Sequence, residues 1–254
     1  MGVVTCDVRG SVALVEFSRL EQRNALSKAL VEELLVTLAG LAGRSDVRAV
    51  VLTGGGENFS VGADLKERAS LPASRWVEHH GPYEALTGAL QAMPQPTIAA
   101  VRGFALGGGC ELALGCDIVV AGEDARFGQP EARRGLIPGM GGPQLLLRRV
   151  SYGAAAYLLF SGAILDAQQA LQWGIATVLA QDPRQRALEI AGEFASASPI
   201  AVRGLRRLLR GSQEAFTARY AAELDAWREA VASGDPIEGA LAFVQRRTPV
   251  FPDR

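Results

Sequence analysis

Short apolar runs alternate with longer amphipathic stretches over the first two thirds of the chain. The β-rich run at 12–17 is predicted to pair with residues 3–9 through a turn at Gly10. Further short apolar runs predict buried strands at 47–53, 97–101 and 117–121. Runs this short and this apolar are typical of a sheet that is covered on both faces.

Helical periodicity fills the intervals between these strands. Ser27 is typical of a helix N-cap, and leucines spaced for one apolar face follow it at positions 30, 34, 35, 38 and 41. The same pattern predicts helices over 64–69, 74–92 and 107–115. Alternating strands and helices indicate an α/β protein.

From about Ala167 onward, helices dominate. The pattern predicts them over 167–173, 184–198, 199–209, 212–232 and 236–246. This tail is too small to form a separate core easily. Its large apolar residues are therefore expected to pack on the preceding α/β part or on another subunit: Phe194, Phe216, Trp227 and Phe243.

Composition and charge narrow the class of protein. The 254 residues are 48% hydrophobic and 21% charged, with a net charge of −1, which is typical of one large globular domain or a domain with an appendage. A net charge this close to zero creates no positive electrostatic field that would favour binding to nucleic acid or to an anionic membrane. The longest apolar runs fall short of the roughly 20 residues that a membrane span needs. The first residues carry no basic flank followed by an apolar stretch, so no secretory signal is expected.

Cysteine and histidine usage argues against a metal site. Cys6, Cys110 and Cys116 form neither a metal-like spacing nor an even disulfide framework, which favours a reduced, cytoplasmic protein. The histidines are the adjacent pair His79 and His80, so a zinc site is not expected. The pair is expected on the surface of its helix.

Two glycine-containing turns each lead into a predicted helix. One precedes Asp64 within 59–65, and the other is Gly107-Gly108-Gly109. Backbone N–H groups at a helix start lack partners and favour negative charge. Two such groups aimed at one oxygen would form an oxyanion hole, worth about 3–4 kcal/mol per donor. Either turn alone is more typical of an ordinary connection.

Two glutamates stand near these turns. Glu111 is flanked by Cys110 and Leu112, and a carboxylate in such an apolar run must be paired, hydrogen-bonded or shifted in pKa. Glu131 follows Pro130 and would also suit the first turn of a helix. Two carboxyl groups in different environments can supply both an acid and a base to one site.

A series of segments follows in a fixed order along nearly the whole chain, at 24–27, 47–54, 59–65, 96–103, 107–111, 116–118, 127–131 and 135–142, with a further one at 238–251. In this order they resemble the segments of the crotonase superfamily, the enoyl-CoA hydratase/isomerase group. The resemblance implies an α/β spiral of ββα repeats with a C-terminal helical region that builds a homotrimer or a dimer of trimers. On this basis residues 1–195 are expected to form the spiral core with the acyl-CoA site, and 196–254 the helical region for oligomer packing.

The resemblance also implies the site. The substrate would be an acyl-CoA thioester, without a further cofactor or a metal, whose carbonyl oxygen lies between the backbone N–H groups of Ala63 and Gly108. Glu111 and Glu131 would be the catalytic pair. The CoA moiety would be held by two segments, whose residues are Arg23, Asn24, Ala25 and Leu26 in the first and Ala63, Asp64 and Leu65 in the second.

The reaction implied is hydration of a 2-enoyl-CoA to a 3-hydroxyacyl-CoA, with Glu111 orienting and activating water and Glu131 delivering the α-proton. An enoyl-CoA double-bond isomerase of the same fold is the main alternative, and having both glutamates favours hydration. A non-catalytic acyl-CoA binder or RNA-binding relative is an alternative of a different class. Arg133 and Arg134 could contact substrate, a partner subunit or solvent.

Overall fold

The computed structural model describes residues 2–211 and 213–251. Within them the strands are β1 (Val4–Arg9), β2 (Val12–Phe17), β3 (Ala49–Gly54), β4 (Thr97–Val101), β5 (Phe104–Leu106), β6 (Ile118–Ala121), β7 (Arg126–Gly128), β8 (Ile164–Asp166) and β9 (Val178–Leu179). The helices are α1 (Lys28–Ala42), α2 (Leu65–Ala69), α3 (Trp76–Ala92), α4 (Gly108–Gly115), α5 (Gly142–Leu146), α6 (Tyr152–Ser161), α7 (Ala167–Trp173), α8 (Pro183–Ser196), α9 (Pro199–Arg210), α10 (Gln213–Ser233) and α11 (Asp235–Gln245).

The larger sheet has the strand order β1-β2-β3-β4-β6-β9. β1 and β2 form an antiparallel hairpin, and the following neighbours pair in parallel. β4 is buried along its whole length and β3 along all but its last residue. Such continuous burial requires cover on both faces of the sheet, as the short apolar runs predicted. The hairpin and the α/β class are confirmed.

The smaller sheet has the order β5-β7-β8, and its first strand leads through Gly107 into α4. An isolated parallel bridge joins Ser60 to Ala105, and another joins Leu26 to Ala63. These bridges bring the turn after residue 59 beside the turn that begins α4. The two glycine-containing segments are therefore neighbours, although more than forty residues separate them in the chain.

Local signals fix several helix ends. Ser27 Oγ accepts a hydrogen bond from the Leu30 N–H at 3.3 Å, so the predicted cap of α1 is confirmed. Asp64 caps α2 by accepting from the N–H groups of Lys66 and Glu67 at 3.1 and 3.2 Å. A side-chain cap of this kind contributes about 1 kcal/mol. It also places the start of α2 immediately after Ala63.

The helical tail is confirmed, with bounds shifted by one or two residues. Trp227 of α10 is buried and packs in one cluster with Trp76 of α3 and Leu136. Phe194 packs against the outer face of the larger sheet, whereas Phe243 is 48% exposed. Ser212 and the side chain of Phe216 lie outside the described part of the chain. Over the described ranges, no helix combines the length and the apolar character needed to cross a membrane.

Candidate active site

A cavity of about 550 Å³ collects the predicted site residues. Its wall is built from the residues between β3 and α2, the start of α4, the 3-10 segment Glu131–Arg134 and one face of α3. Trp227 of α10 and Phe243 of α11 close part of it. Glu111, Glu131, Ala63 and Gly108 all line this one cavity. The structure therefore brings together the two carboxyl groups and the two backbone positions.

The backbone positions of Ala63 and Gly108 are adjacent. The Leu26 N–H donates to Gly62 O at 2.8 Å and the Asp64 N–H donates to Leu26 O at 3.0 Å, so the N–H of Ala63 between them faces the other side. A Cβ on Gly108 would lie 3.7 Å from the Ala63 nitrogen. Neither N–H donates to a protein acceptor within the described ranges. Two free donors beside the N-terminus of α4 can stabilise a developing oxyanion.

Glu111 is held by the glycine-rich loop that follows Glu131. Its Oε1 accepts from the N–H groups of Met140 and Gly142, each at 2.8 Å. The residue is 3% exposed, and this burial raises the pKa of its carboxyl to about 7, although the two N–H donors oppose the shift. The sequence prediction that Glu111 must be hydrogen-bonded or shifted in pKa is confirmed in both respects.

Glu131 is the first residue of the 3-10 segment after Pro130. Its Oε2 is buried and, among the described residues, has no hydrogen-bond partner. Burial raises its pKa, and the charge of Glu111 raises it further. Because Glu111 has two N–H donors and Glu131 Oε2 has none, the structure favours the carboxylate form at Glu111 and the acid form at Glu131.

The first of the two segments expected to hold CoA is only partly exposed to the cavity. Arg23 and Ala25 line it, together with Asp64 and Leu65 of the second segment. Asn24 does not, because its buried side chain is used internally: Oδ1 accepts from the Arg19 N–H at 2.7 Å and Nδ2 donates to Gly55 O and Asn58 O at 2.9 and 2.6 Å. Leu26 is likewise buried in the core. Any contribution of Asn24 and Leu26 to CoA binding stays a prediction that rests on their backbone.

The expectation that His79 and His80 lie on the surface is wrong. His79 is 9% exposed and His80 is 2% exposed. The ring of His80 stacks on Trp227 with centroids 4.2 Å apart, and its Nε2 lies 2.9 Å from Gly139 O. This face of α3 is covered by α10 and by the loop before α5. Both segments are distant in sequence from the two histidines, so the local sequence does not reveal their burial. His80 lines the cavity.

Two further groups at the site were not predicted. Arg68 of α2 is buried and lines the cavity beside His80. Glu223 of α10 accepts from the Gly141 N–H at 2.7 Å, so two carboxyl groups hold three consecutive N–H groups of one loop. Burial raises the pKa of Glu223 to about 9. Nothing local in the sequence marks these residues, because each is placed by tertiary packing.

The two arginines after Glu131 have different surroundings. Arg133 donates its Nε–H to Ser161 O on the exposed side of the segment. Arg134 lines the cavity, with its guanidinium carbon 5.5 Å from the ring centroid of Phe243. Of the two, Arg134 is therefore the one placed to contact a ligand.

The geometry agrees with comparisons to known proteins. A family model described as Enoyl-CoA hydratase/isomerase matches residues 7–254. A 2,3-dehydroadipyl-CoA hydratase from Escherichia coli is 42% identical over 96% of each chain, and a short-chain-enoyl-CoA hydratase from Clostridium acetobutylicum is 35% identical over 96% of this chain and 95% of its own. Among solved structures, a carnitinyl-CoA hydratase from Mycobacterium avium is 34% identical with a TM-score of 0.90, covering 100% of both chains. An enoyl-CoA hydratase from Bacillus anthracis is 34% identical with a TM-score of 0.81, covering 98% of both.

Proposed function

The chain belongs to the enoyl-CoA hydratase/isomerase family, the crotonase superfamily, and we propose that it adds water across the 2,3 double bond of a 2-enoyl-CoA thioester. The product is a 3-hydroxyacyl-CoA. The observation that carries this proposal is the presence of both Glu111 and Glu131 in one cavity beside two N–H groups that have no acceptor among the described residues. Hydration needs both parts, because charge must collect on an oxygen while water loses one proton and carbon gains another.

The backbone supplies the electrophilic half of the site. The thioester carbonyl oxygen lies between the N–H groups of Ala63 and Gly108, which strengthen their hydrogen bonds as the enolate forms. Donors fixed in a water-poor cavity need no reorganisation at that moment, and each contributes about 3–4 kcal/mol. The N-terminal end of α4 adds a favourable dipole.

The glutamates move the protons. Glu111, as carboxylate, orients a water molecule and accepts one of its protons while the water oxygen bonds to the β-carbon. Glu131, as acid, donates its proton to the α-carbon when the enolate collapses. The addition leaves the proton on Glu111 and the charge on Glu131, so one proton transfer between them, directly or through water, restores the starting state.

The CoA moiety is proposed to lie along Arg23 and Ala25 and along Ala63 to Leu65, which line the cavity. No cofactor other than the CoA of the substrate is part of this mechanism.

We also propose a homotrimer or a dimer of trimers. The C-terminal helix α9 supports it by exposing Ile200, Leu205, Leu208 and Leu209. The three cysteines are free, which supports a reducing, cytoplasmic location.

The double-bond isomerase is the alternative within the same fold, since it needs one base that moves a proton between two carbons. Turnover of matched 2-enoyl-CoA and 3-enoyl-CoA thioesters decides between them, measured for the wild type and for Glu111→Gln and Glu131→Gln. Loss of hydration in both variants supports the proposal. Isomerisation that survives Glu111→Gln would move the protein to the alternative, and salt-dependent RNA retention without turnover of any CoA ester would contradict both.

Family membership does not select the acyl group. The similar proteins above are named for short-chain enoyl, dehydroadipyl and carnitinyl thioesters, which end in an apolar carbon, a carboxylate and a quaternary ammonium respectively. The choice must come from side chains in the cavity of this chain.

A further inference from the structure

Arg68 is a buried cation inside the cavity. Only 5% of the residue is exposed, and it lines the same cavity as Ala63, Gly108 and Glu111. Its Nη2 donates to His80 Nδ1 at 2.9 Å. In the part of the chain that the structure describes, no carboxylate oxygen lies within ion-pair distance of the guanidinium. A guanidinium has five N–H donors in a planar fork, so most of them are available to a ligand.

His80 orients Arg68 without neutralising it. An arginine only donates and a carbonyl oxygen only accepts, so Nδ1 of His80 accepts from Arg68 and Nε2 donates to Gly139 O, at 2.9 Å in each case. Burial, helped by the charge of Arg68, lowers the pKa of His80 to about 3. His80 is therefore neutral at physiological pH and supplies no negative charge.

Aromatic rings surround the guanidinium. Its carbon lies 5.8, 5.4 and 5.8 Å from the ring centroids of Trp76, Tyr83 and Trp227. Ring faces stabilise a cation, but they do not replace a carboxylate partner for a charge removed from water. They also form the apolar walls that would exclude water from an ion pair at this point.

The charges of Glu67, Glu111 and Glu131 act on Arg68, but none of these carboxylates forms an ion pair with it in the described part of the chain, and the first two already have partners. Glu67 Oε2 accepts from the Lys28 N–H at 3.0 Å, and Glu67 Oε1 lies 3.5 Å from His79 Nε2. Glu111 Oε1 is held by the loop before α5. Burial lowers the pKa of Arg68, and the acidic charges oppose that shift only from a distance. The cavity thus contains an oriented cation whose close counter-ion is missing from the described protein.

We propose that Arg68 binds a carboxylate at the far end of the acyl group, so that the preferred substrates are 2-enoyl-CoA thioesters of dicarboxylic acids. This inference rests on the proposed function, since it assigns the acyl end of the same cavity. Arginine matches a carboxylate with two parallel hydrogen bonds, and the pair is strong where water is excluded. An acyl group that ends in a cation is disfavoured at this site by like-charge repulsion.

The position of Arg68 limits the length of the acyl group. Arg68 is the fourth residue of α2, which begins at Leu65 directly after the Asp64 cap, so it lies about one helical turn beyond the start of the helix, at roughly 1.5 Å per residue. Helical side chains also lean toward the N-terminus, which here is the Ala63 end. The carboxylate is therefore only a few carbons from the thioester.

Two other roles for Arg68 lead to different measurements. If it only tied α2 to α3 and α10, its loss would lower stability and affect every substrate alike. If it acted through the charges of Glu111 and Glu131, its loss would shift the pH profile of hydration for every substrate. Only if Arg68 binds a carboxylate does the loss of activity on its removal depend on which group ends the acyl chain.

The test compares hex-2-enoyl-CoA with the matched thioester in which the terminal methyl is a carboxylate. The wild type is expected to have the higher kcat/KM for the carboxylate substrate. Arg68→Met is expected to lower that kcat/KM by roughly 100-fold or more, as for loss of one partner of a buried charge pair, and to leave the methyl substrate within a few-fold. Lys66→Met is the matched control, because it removes a cation from the same helix and cavity wall; the ratio between the two substrates is expected to stay as in the wild type.

Equal losses on both substrates in Arg68→Met, or a wild type that prefers the methyl substrate, would overturn the inference. If Arg68→Met does not fold, inhibition of the wild type by the two saturated thioesters gives the same comparison: tighter binding of the carboxylate form supports the inference, and equal binding contradicts it. Turnover of hex-2-enoyl-CoA without any preference rejects this inference alone. Absence of turnover with every enoyl-CoA rejects the proposed function, while thioester binding still measures the role of Arg68.

Discussion

The carboxyl group of Glu131 lies directly against Gly107, the residue that precedes the free N–H of Gly108. A Cβ on Gly107 would lie 2.6 Å from Glu131 Oε1, which is closer than two such atoms can approach. Gly107 also has φ +53° and ψ −128°, a combination that residues with a side chain avoid. The acid and one oxyanion donor are thus positioned by a single glycine.

Gly107→Ala is therefore expected to lower hydration kcat/KM by at least about 100-fold, because the new methyl displaces the acid and tilts the first N–H of α4. Steady-state hydration of crotonyl-CoA measures the loss. Gly153→Ala is the control, since that glycine lies in α6 with nothing within 4 Å of the added methyl. Near-normal activity in Gly107→Ala would mean that Glu131 is not the acid.

The Glu111→Gln variant separates the role of Glu111 as a base from its role in holding the loop before α5. The amide oxygen of glutamine can still accept from the N–H groups of Met140 and Gly142, so the fold should be kept. The base is lost, and hydration is expected to fall by roughly 10²–10⁴-fold. Stopped-flow hydration together with the thermal unfolding midpoint checks both parts. The exposed residue Glu123 gives the control Glu123→Gln, and a comparable rate loss there would contradict the assignment.

Much of the fold could be predicted from the sequence because helix caps and patterns of apolar residues are local features. The cap at Ser27, the leucine stripe of α1 and the buried runs of β3 and β4 each act over a few residues, and each is present in the structure. The strands β5, β7 and β8 are three residues long, too short for alternation to mark them. They were missed for that reason.

The candidate site likewise has features that the local sequence predicts and features that depend on tertiary contacts. The need of Glu111 for hydrogen-bond donors followed from its apolar neighbours, although their identity as the Met140 and Gly142 N–H groups did not. His80 and Arg68 were missed because Trp227 buries them from a helix far along the chain. Burial set by tertiary contacts has no local sequence signal. The family resemblance supplied the roles of Ala63 and Gly108, which spacing alone left open.

Hydration by the wild type is expected to decline at alkaline pH. Burial and the charge of Glu111 hold the pKa of Glu131 above its usual range, so the acid form persists at neutral pH and is lost as pH rises through the folded value. The pH profile of kcat/KM for crotonyl-CoA measures this limb. In Glu131→Gln the residual activity should lack it. A profile with the same alkaline limb in the variant would assign that limb to another group.

Asn24→Ala is expected to destabilise the fold by about 2–4 kcal/mol, since it removes three hydrogen bonds of a buried side chain and leaves alanine at a left-handed φ. The bonds join Arg19, Gly55 and Asn58, and φ is 56°. Urea unfolding measures the change. Asn24→Asp keeps the acceptor but places an acceptor oxygen against the carbonyl oxygens of Gly55 and Asn58, so it should also be destabilised and should not recover the stability of the wild type. A loss below about 0.5 kcal/mol, the level of an ordinary surface change, would contradict the structural role of this side chain.

The free energy of unfolding should depend on pH because Glu223 is a buried acid. Burial, together with the charge of Glu111, raises its folded pKa from the usual 4.5 to about 9, so between these values the folded state keeps a proton that the unfolded state has lost. The contribution of this group is complete below its unfolded pKa and is lost as pH rises through 9, with a ceiling of about 1.4 kcal/mol per unit of pKa difference. Glu223→Gln keeps the acceptor for the Gly141 N–H and cannot ionise. The free energy of unfolding of the variant relative to the wild type should therefore rise steadily from pH 5 to pH 9, and a difference independent of pH would show that Glu223 ionises normally in the folded protein.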